Sequence, residues 1–155
     1  MKVIFSGGWN IASVFIKTQT ACRWYHCGVI NDAGLVVEAR MTGGVVVSFL
    51  DEFKSRGQWV IIDIPLNDEQ AAHDFLDKQI GKGYDVSGLF AYLFNKRSWQ
   101  TEHKWYCSEL VAAAAEIGGS SIVRSDLSGV SPRDIWVGTH SCIDASEEKF
   151  IGSCT

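Results

Sequence analysis

The stretch Lys104-Trp105-Tyr106-Cys107-Ser108-Glu109-Leu110-Val111, running on through Ala112–Ala115 to Glu116 and Ile117, decides how the chain is read. Leu110, Val111, Ala114 and Ile117 recur at helical spacing and form one stripe of a buried helix. Four consecutive alanines favour helix and let neighbours pack closely. Glu109 falls in the first turn, where the helix dipole favours a carboxylate, and Gly118-Gly119 supplies a stop. Cys107 therefore stands at a helix start. Unpaired backbone N–H groups and the dipole there favour thiolate over thiol. The same N–H groups suit a developing oxyanion. Such a sulfur is set for nucleophilic attack if a histidine reaches it; otherwise it is a small buried hydrophobe.

Upstream, Trp24-Tyr25-His26-Cys27-Gly28-Val29-Ile30 reads as a strand, Asn31-Asp32-Ala33-Gly34 as a hairpin turn and Leu35–Arg40 as the returning strand. Strict alternation places Trp24, Gly28 and Ile30 on the face of His26, and Tyr25, Cys27 and Val29 on the other. Gly28 leaves that face open beside the imidazole. A turn centred on Asp32 and Ala33 puts His26 opposite Ala39 or a neighbour, with Glu38 in reach across the hairpin or diagonally. Cys107 as nucleophile, His26 as base and Glu38 as orienter of the second ring nitrogen form a triad of the types acyl transfer needs. Each also has a bland role, as a structural histidine, a solvated edge charge or a core thiol.

The remaining chain alternates elements. Met1–Phe5 predicts a strand, Trp9–Thr20 a helix, Gly43–Phe49 a strand, Leu50–Arg56 a short helix and Trp59–Ile64 a strand. Asn67 or Asp68 caps a helix with Ala72, Phe75, Leu76 and Ile80 inward and Gln79 outward. Gly81-Lys82-Gly83 ends it, Val86–Phe94 predicts a further helix, and Asn95–His103 a polar loop. Ser121–Val123 is a weak extended candidate. Ser131-Pro132-Arg133-Asp134 reads as a turn or helix start, and the tail from Gly138 as a polar surface wrap. Antiparallel strands first and helices mainly later argue α+β. No repeat or linker composition divides residues 1–155, so one domain is expected.

The 155 residues are 46% hydrophobic with a formal net charge of -4 and no basic cluster. Phosphate-driven nucleic-acid binding and attraction to an anionic membrane are disfavoured. No run approaches the roughly 20 apolar residues of a membrane span, and no signal peptide is read at Met1–Phe5. A cytoplasmic protein is expected, with export by another route left open. Five cysteines, an odd number, make a disulfide framework a weak reading.

Taken together, Trp24–Ile30, Val37-Glu38-Ala39, Gly83-Tyr84-Asp85, Trp105–Val111 and Ser131-Pro132-Arg133-Asp134-Ile135 resemble the permuted NlpC-type cysteine hydrolases, papain-like proteins of the YiiX/YebB kind, with lecithin:retinol acyltransferase as a more distant relative. In that family the histidine strand precedes the cysteine helix, the reverse of the papain order. The resemblance covers about Trp9 to Val137. It implies a circularly permuted papain-like fold, an antiparallel sheet packed on the cysteine helix. It also implies Cys107, His26 and Glu38 as catalytic residues, with Tyr84, Tyr106 and Trp24 as the substrate-binding candidates. Cys27 departs from the aliphatic residue usual there, and no Gly-Asp pair marks the N-terminal strand. No cofactor or metal is expected. The substrate class implied is a peptide, including peptidoglycan, or an acyl lipid. An acyltransferase or an inactive binding protein on the same scaffold are the alternatives. A zinc module using Cys22, His26, Cys27 and His103 or Cys107 is the remaining reading, with spacing poor for zinc.

Overall fold

Runs rich in valine and isoleucine form an antiparallel sheet, and the alanine-rich segment lies against it as a helix. The computed structural model describes residues 1–7, 22–84, 104–122, 130–139 and 142–145. Within them lie β1 (Lys2–Gly7), β2 (Trp24–Ile30), β3 (Leu35–Arg40), β4 (Gly44–Phe49), α1 (Leu50–Lys54), β5 (Gln58–Asp63), α2 (Glu69–Gln79), β6 (Gly83–Tyr84), β7 (Lys104–Trp105), α3 (Cys107–Ile117), α4 (Pro132–Gly138) and β8 (Cys142–Ala145). The main sheet has the order β4-β3-β2-β1-β5-β8, and β6 and β7 form a separate parallel pair. The architecture is α+β, as the element pattern predicts. The helices expected over Trp9–Thr20 and Val86–Phe94 and the loop over Asn95–His103 lie outside the described residues.

Both faces of the sheet are covered, which explains the near-continuous apolar run of β5. Val60 and Ile62 join the large core beneath α2 and α3, while Ile61 joins Ile4, Val36 and Phe53 of α1 on the other face. The β2–β3 turn closes with Asn31 N–H donating to Leu35 O at 2.8 Å and Leu35 N–H donating to Asn31 Oδ1 at 2.9 Å. Gly34 takes φ +74°, a value that favours glycine.

Helix α3 is buried almost all round, from Cys107 to Ala115. The alanines allow this, because short side chains bring the helix close to the sheet. Ile117, expected inward, is 53% exposed past the end of the sheet contact. In α2 the Asp68 carboxylate accepts from Ala71 N–H at 2.9 Å, the predicted cap. The far end of α2 differs from expectation. Gln79 is buried at 5% and Ile80 is 43% exposed. Polar bonding decides this, since Gln79 Oε1 accepts from Trp105 Nε1 at 3.1 Å and from Lys82 Nζ at 2.6 Å. The helix has also ended at Gln79, so helical spacing no longer governs Ile80.

Two further corrections concern the termini of elements. Part of the polar tail is a strand: β8 pairs antiparallel with β5 through Val60↔Ala145 and Ile61↔Asp144, supplying a partner to an otherwise open sheet edge. Cys22, for which a disulfide is a weak expectation from the cysteine count, is disulfide-bonded, whereas Cys27 and Cys107 are free. No helix among the described residues is long and apolar enough to cross a membrane.

Candidate active site

Cys107 is the first residue of α3, 7% exposed at the edge of the large core. The extended residue before it, Tyr106, makes no side-chain cap, whereas α2 and α4 are capped by Asp68 and by the Ser131–Asp134 capping box. First-turn N–H groups of α3 are thus left to other acceptors. The helix start is fixed from both sides. Ser108 Oγ donates to Val130 O at 2.7 Å. On the approach strand, Trp105 is held by Gln79 and by an edge-on contact with Phe75, ring centroids 5.7 Å apart.

Strict alternation fails at His26, because β1 and β2 change register between Ser6 and Gly7. Ser6 pairs with His26, but Gly7 pairs with Trp24, leaving Tyr25 as the extra residue of a bulge. Trp24 consequently shares the core face with Cys27 and Val29 instead of the face of His26. Its indole packs on Phe5 and Trp136, at 6.4 and 5.6 Å between centroids. The β2–β3 ladder is short. Its paired positions are Val29↔Val37 and Ile30↔Val36. Continuing that register, Glu38 falls opposite Gly28 and diagonal to His26. At Gly28 an added Cβ would meet Val36 Cγ1 at 2.7 Å and Glu38 Cβ at 3.1 Å, so glycine is what lets the carboxylate pass.

His26 Nε2 lies 2.5 Å from Glu38 Oε2, and its ring stacks on Phe53 with centroids 5.6 Å apart and planes at 22°. Glu38 is fully buried. Ser48 Oγ donates to its Oε1 at 2.5 Å, and Arg56 Nη1 donates to both oxygens at 2.8 Å. With Nε2 engaged by Glu38, Nδ1 is the ring nitrogen that remains, and the Cys107 sulfur is near enough for its charge to act on the imidazole. Cys27, on the core face of β2, likewise acts on the charge of the Cys107 sulfur.

Charges follow this geometry. Burial opposes a charged His26, but the neighbouring Cys107 thiolate and then Glu38 outweigh it, and its pKa rises from 6.5 to about 9. Burial likewise opposes ionised Glu38. The His26 contact, with Ser48 and Arg56, brings its pKa down from 4.5 to about 2. The Cys27 thiol donor, acting against burial and joined by His26, holds Cys107 well below the ordinary thiol range. Burial first, then the Cys107 charge, pushes Cys27 well above it. These directions favour a thiolate–imidazolium pair beside a protonated thiol.

Cys107, His26 and Glu38 are thus brought together. Tyr84 pairs with Trp105 and packs on the same core, next to the segment leading into α3. Tyr106 and Trp24 are each 4% exposed, packed inside and not presented on an open surface. Sequence reasoning does not reach Arg56 and Ser48. Ser48 sits in register opposite Val36, two residues from Glu38, a placement that needs the β3–β4 register. Arg56 comes from the turn after α1. Ser6, in register with His26, has a buried hydroxyl without a hydrogen-bond partner.

Among the described residues no group of three or more His, Cys, Asp or Glu side chains is placed to hold a metal ion. The Glu38 carboxylate is already taken by Arg56, Ser48 and His26, and a cation there would meet the guanidinium. The described residues do not fit a metal centre at this site.

No protein-family model matches the chain, and no curated protein sequence does. Among solved structures it is similar to YiiX from Escherichia coli O157:H7, a protein described as a metalloprotein, with a TM-score of 0.69 and 18% identity. The match takes in 96% of each chain, so over nearly its whole length this chain has the fold of YiiX.

Proposed function

We propose that the protein is a cysteine hydrolase of amide or ester bonds, built on a circularly permuted papain-like fold. The carrying observation is the His26–Glu38 pair at 2.5 Å, with the Cys107 sulfur at a helix start that has no side-chain cap and near enough for its charge to act on the imidazole. In this reading the Cys107 thiolate attacks the substrate carbonyl carbon. First-turn N–H groups of α3 receive the oxyanion. Imidazolium at His26 gives its proton to the leaving amine or alcohol. The neutral ring then takes a proton from water, and the resulting hydroxide releases the acyl group from sulfur. Glu38 keeps the ring oriented and stabilises its charge.

The substrate classes favoured are peptides, peptidoglycan stems included, and acyl lipids. The Cys22 disulfide is of a kind that persists outside a reducing cytoplasm, and it favours an oxidising compartment over the cytoplasmic setting expected from sequence. Metal-dependent chemistry, suggested by the description of YiiX, is not adopted, because Arg56 neutralises the carboxylate that would be its ligand.

The test is hydrolysis of peptidoglycan fragments, peptides and acyl esters by the wild type and by Cys107→Ser. Turnover of at least one class, lost in Cys107→Ser and strongly reduced in His26→Ala, is expected. Turnover that survives in folded Cys107→Ser would overturn the reading.

A further inference from the structure

Phe53 is a core residue with two basic side chains against its ring. It is fully buried on α1, in a cluster with Ile4, Val36 and Ile61, and Leu50 packs beside them. Burial of that kind needs only apolar volume, which leucine would supply. The groups on the ring need more. The His26 imidazole lies against it with centroids 5.6 Å apart and planes close to parallel, at 22°. Arg56 Cζ lies 5.2 Å from the same centroid. Local structure brings the second contact about. The chain keeps turning after α1, with Ser55 N–H donating to Asp51 O at 2.9 Å and Arg56 N–H to Phe53 O at 3.2 Å. Arg56, three residues on, therefore comes round to the side of Phe53. Glu52 Oε1 accepts from Arg56 Nη2 at 2.8 Å and fixes it there. Both groups on the ring also meet one carboxylate. His26 Nε2 is 2.5 Å from Glu38 Oε2, and Arg56 Nη1 donates to both Glu38 oxygens at 2.8 Å. A cation within about 6 Å of an aromatic centroid is attracted by the electron-rich face.

We propose that Phe53 is a positioning residue of the site: its ring supports the His26 imidazolium and the Arg56 guanidinium together, and so fixes where both meet Glu38. This rests on the reading of His26 as the proton carrier of a hydrolase. An aliphatic side chain would bury the imidazole as well, and would only oppose its charge. The aromatic face buries the ring and attracts the charge, while Glu38 balances it at Nε2. Other charge reaches the imidazole from Glu38 on β3 and from Cys107 on α3. β4 contributes Ser48, bonded to Glu38. β1 presents Ser6 in register with His26, and β5 presents Trp59 in register with Ser6. α4 meets β2 at Trp24, through Trp136. The short helix α1 and the turn after it thus hold the His26–Glu38 pair from two directions, the ring through Phe53 and the carboxylate through Arg56.

The experiment replaces Phe53 with phenylalanines carrying one, three and five ring fluorines, which withdraw electrons from the ring face and keep its shape. The His26 titration is read from its imidazole Cε1–H resonance by NMR, with His26→Gln identifying the signal, and urea midpoints are taken on the same samples. The titration midpoint should fall at each step of fluorination, the acid dissociation constant of His26 rising about threefold by the fifth fluorine, while the urea midpoint stays put. Phe53→Leu, which keeps apolar bulk without a π face, should titrate at least as low. A titration midpoint that is the same across the fluorine series would overturn the proposal and leave Phe53 as packing. So would one that falls only in step with the urea midpoint. A stepwise fall in a protein whose wild type turns over no substrate would overturn the hydrolase reading alone. Turnover with a flat titration series would overturn this proposal alone.

Discussion

Arg56 Nη1 lies 2.8 Å from both carboxylate oxygens of Glu38, so the group that orients His26 is itself held by a cation. Glu38 has no solvent contact, whereas the Arg56 side chain is 24% exposed. Removing the guanidinium leaves a buried carboxylate with His26 and Ser48 alone. Arg56→Gln should cost about 3 kcal/mol in urea unfolding at neutral pH, the scale for a broken buried pair. It should also slow Cys107 alkylation, because the ring is less well held. An unchanged unfolding midpoint would show that Arg56 does not support the site.

Sulfur reactivity should carry the signature of an ion pair. Cys107 is ionised well below the ordinary thiol range, and His26 keeps its proton up to about 9. Iodoacetamide should therefore react at a nearly constant rate from mildly acidic to mildly alkaline pH. Hydrolysis, which needs the His26 proton for the leaving group, should decline as pH rises through about 9. An alkylation rate that climbs steadily across pH 7 to 9, as for a free thiol, would contradict the pairing.

Stability should fall on both sides of neutrality. The Glu38 pKa drops on folding from 4.5 to about 2, so its contribution is present above pH 4.5 and is lost as pH falls towards about 2. The His26 pKa rises from 6.5 to about 9, so its contribution is full below pH 6.5 and is lost as pH rises through about 9. Urea midpoints across this range should form a plateau near pH 5–6, and Glu38→Gln should flatten the acid limb. An acid limb of equal slope in that variant would assign the loss to other carboxylates.

Gly28→Ala should be costly for reasons of space. The new methyl would lie 2.7 Å from Val36 Cγ1 and 3.0 Å from Val37 O. Overpacking of this kind costs about 1–3 kcal/mol. It would also push Glu38 away from His26, so alkylation of Cys107 should slow as well. A variant with wild-type stability and reactivity would mean that β2 and β3 separate freely.

Much of this architecture is legible in the sequence, because local chemistry and burial agree. The Asn31–Gly34 turn, the cap at Asp68, the turn or helix start at Ser131 and the alanine run of α3 each act through nearest neighbours or one periodic face. Proximity of His26 and Glu38 is legible as well, since a hairpin brings them together. What escapes the sequence depends on distant partners. The Tyr25 bulge is set by the pairing of Trp24 with Gly7, and it is what moves Trp24 into the core. Gln79 turns inward because Trp105 is there to donate to it. Arg56 and Ser48 reach Glu38 only once β4 and α1 have folded back over β3. β8 is too short and too mixed in character to announce itself, and the opposing backbone of β5 makes it a strand.

The brevity of the β2–β3 ladder has a consequence of its own. A sheet that zipped two rungs further would draw β2 and β3 together beside His26 and close the seam where imidazole and carboxylate meet. Reactivity here is a by-product of unfinished weaving: the fabric is left open at one stitch, and the chemistry occupies the gap.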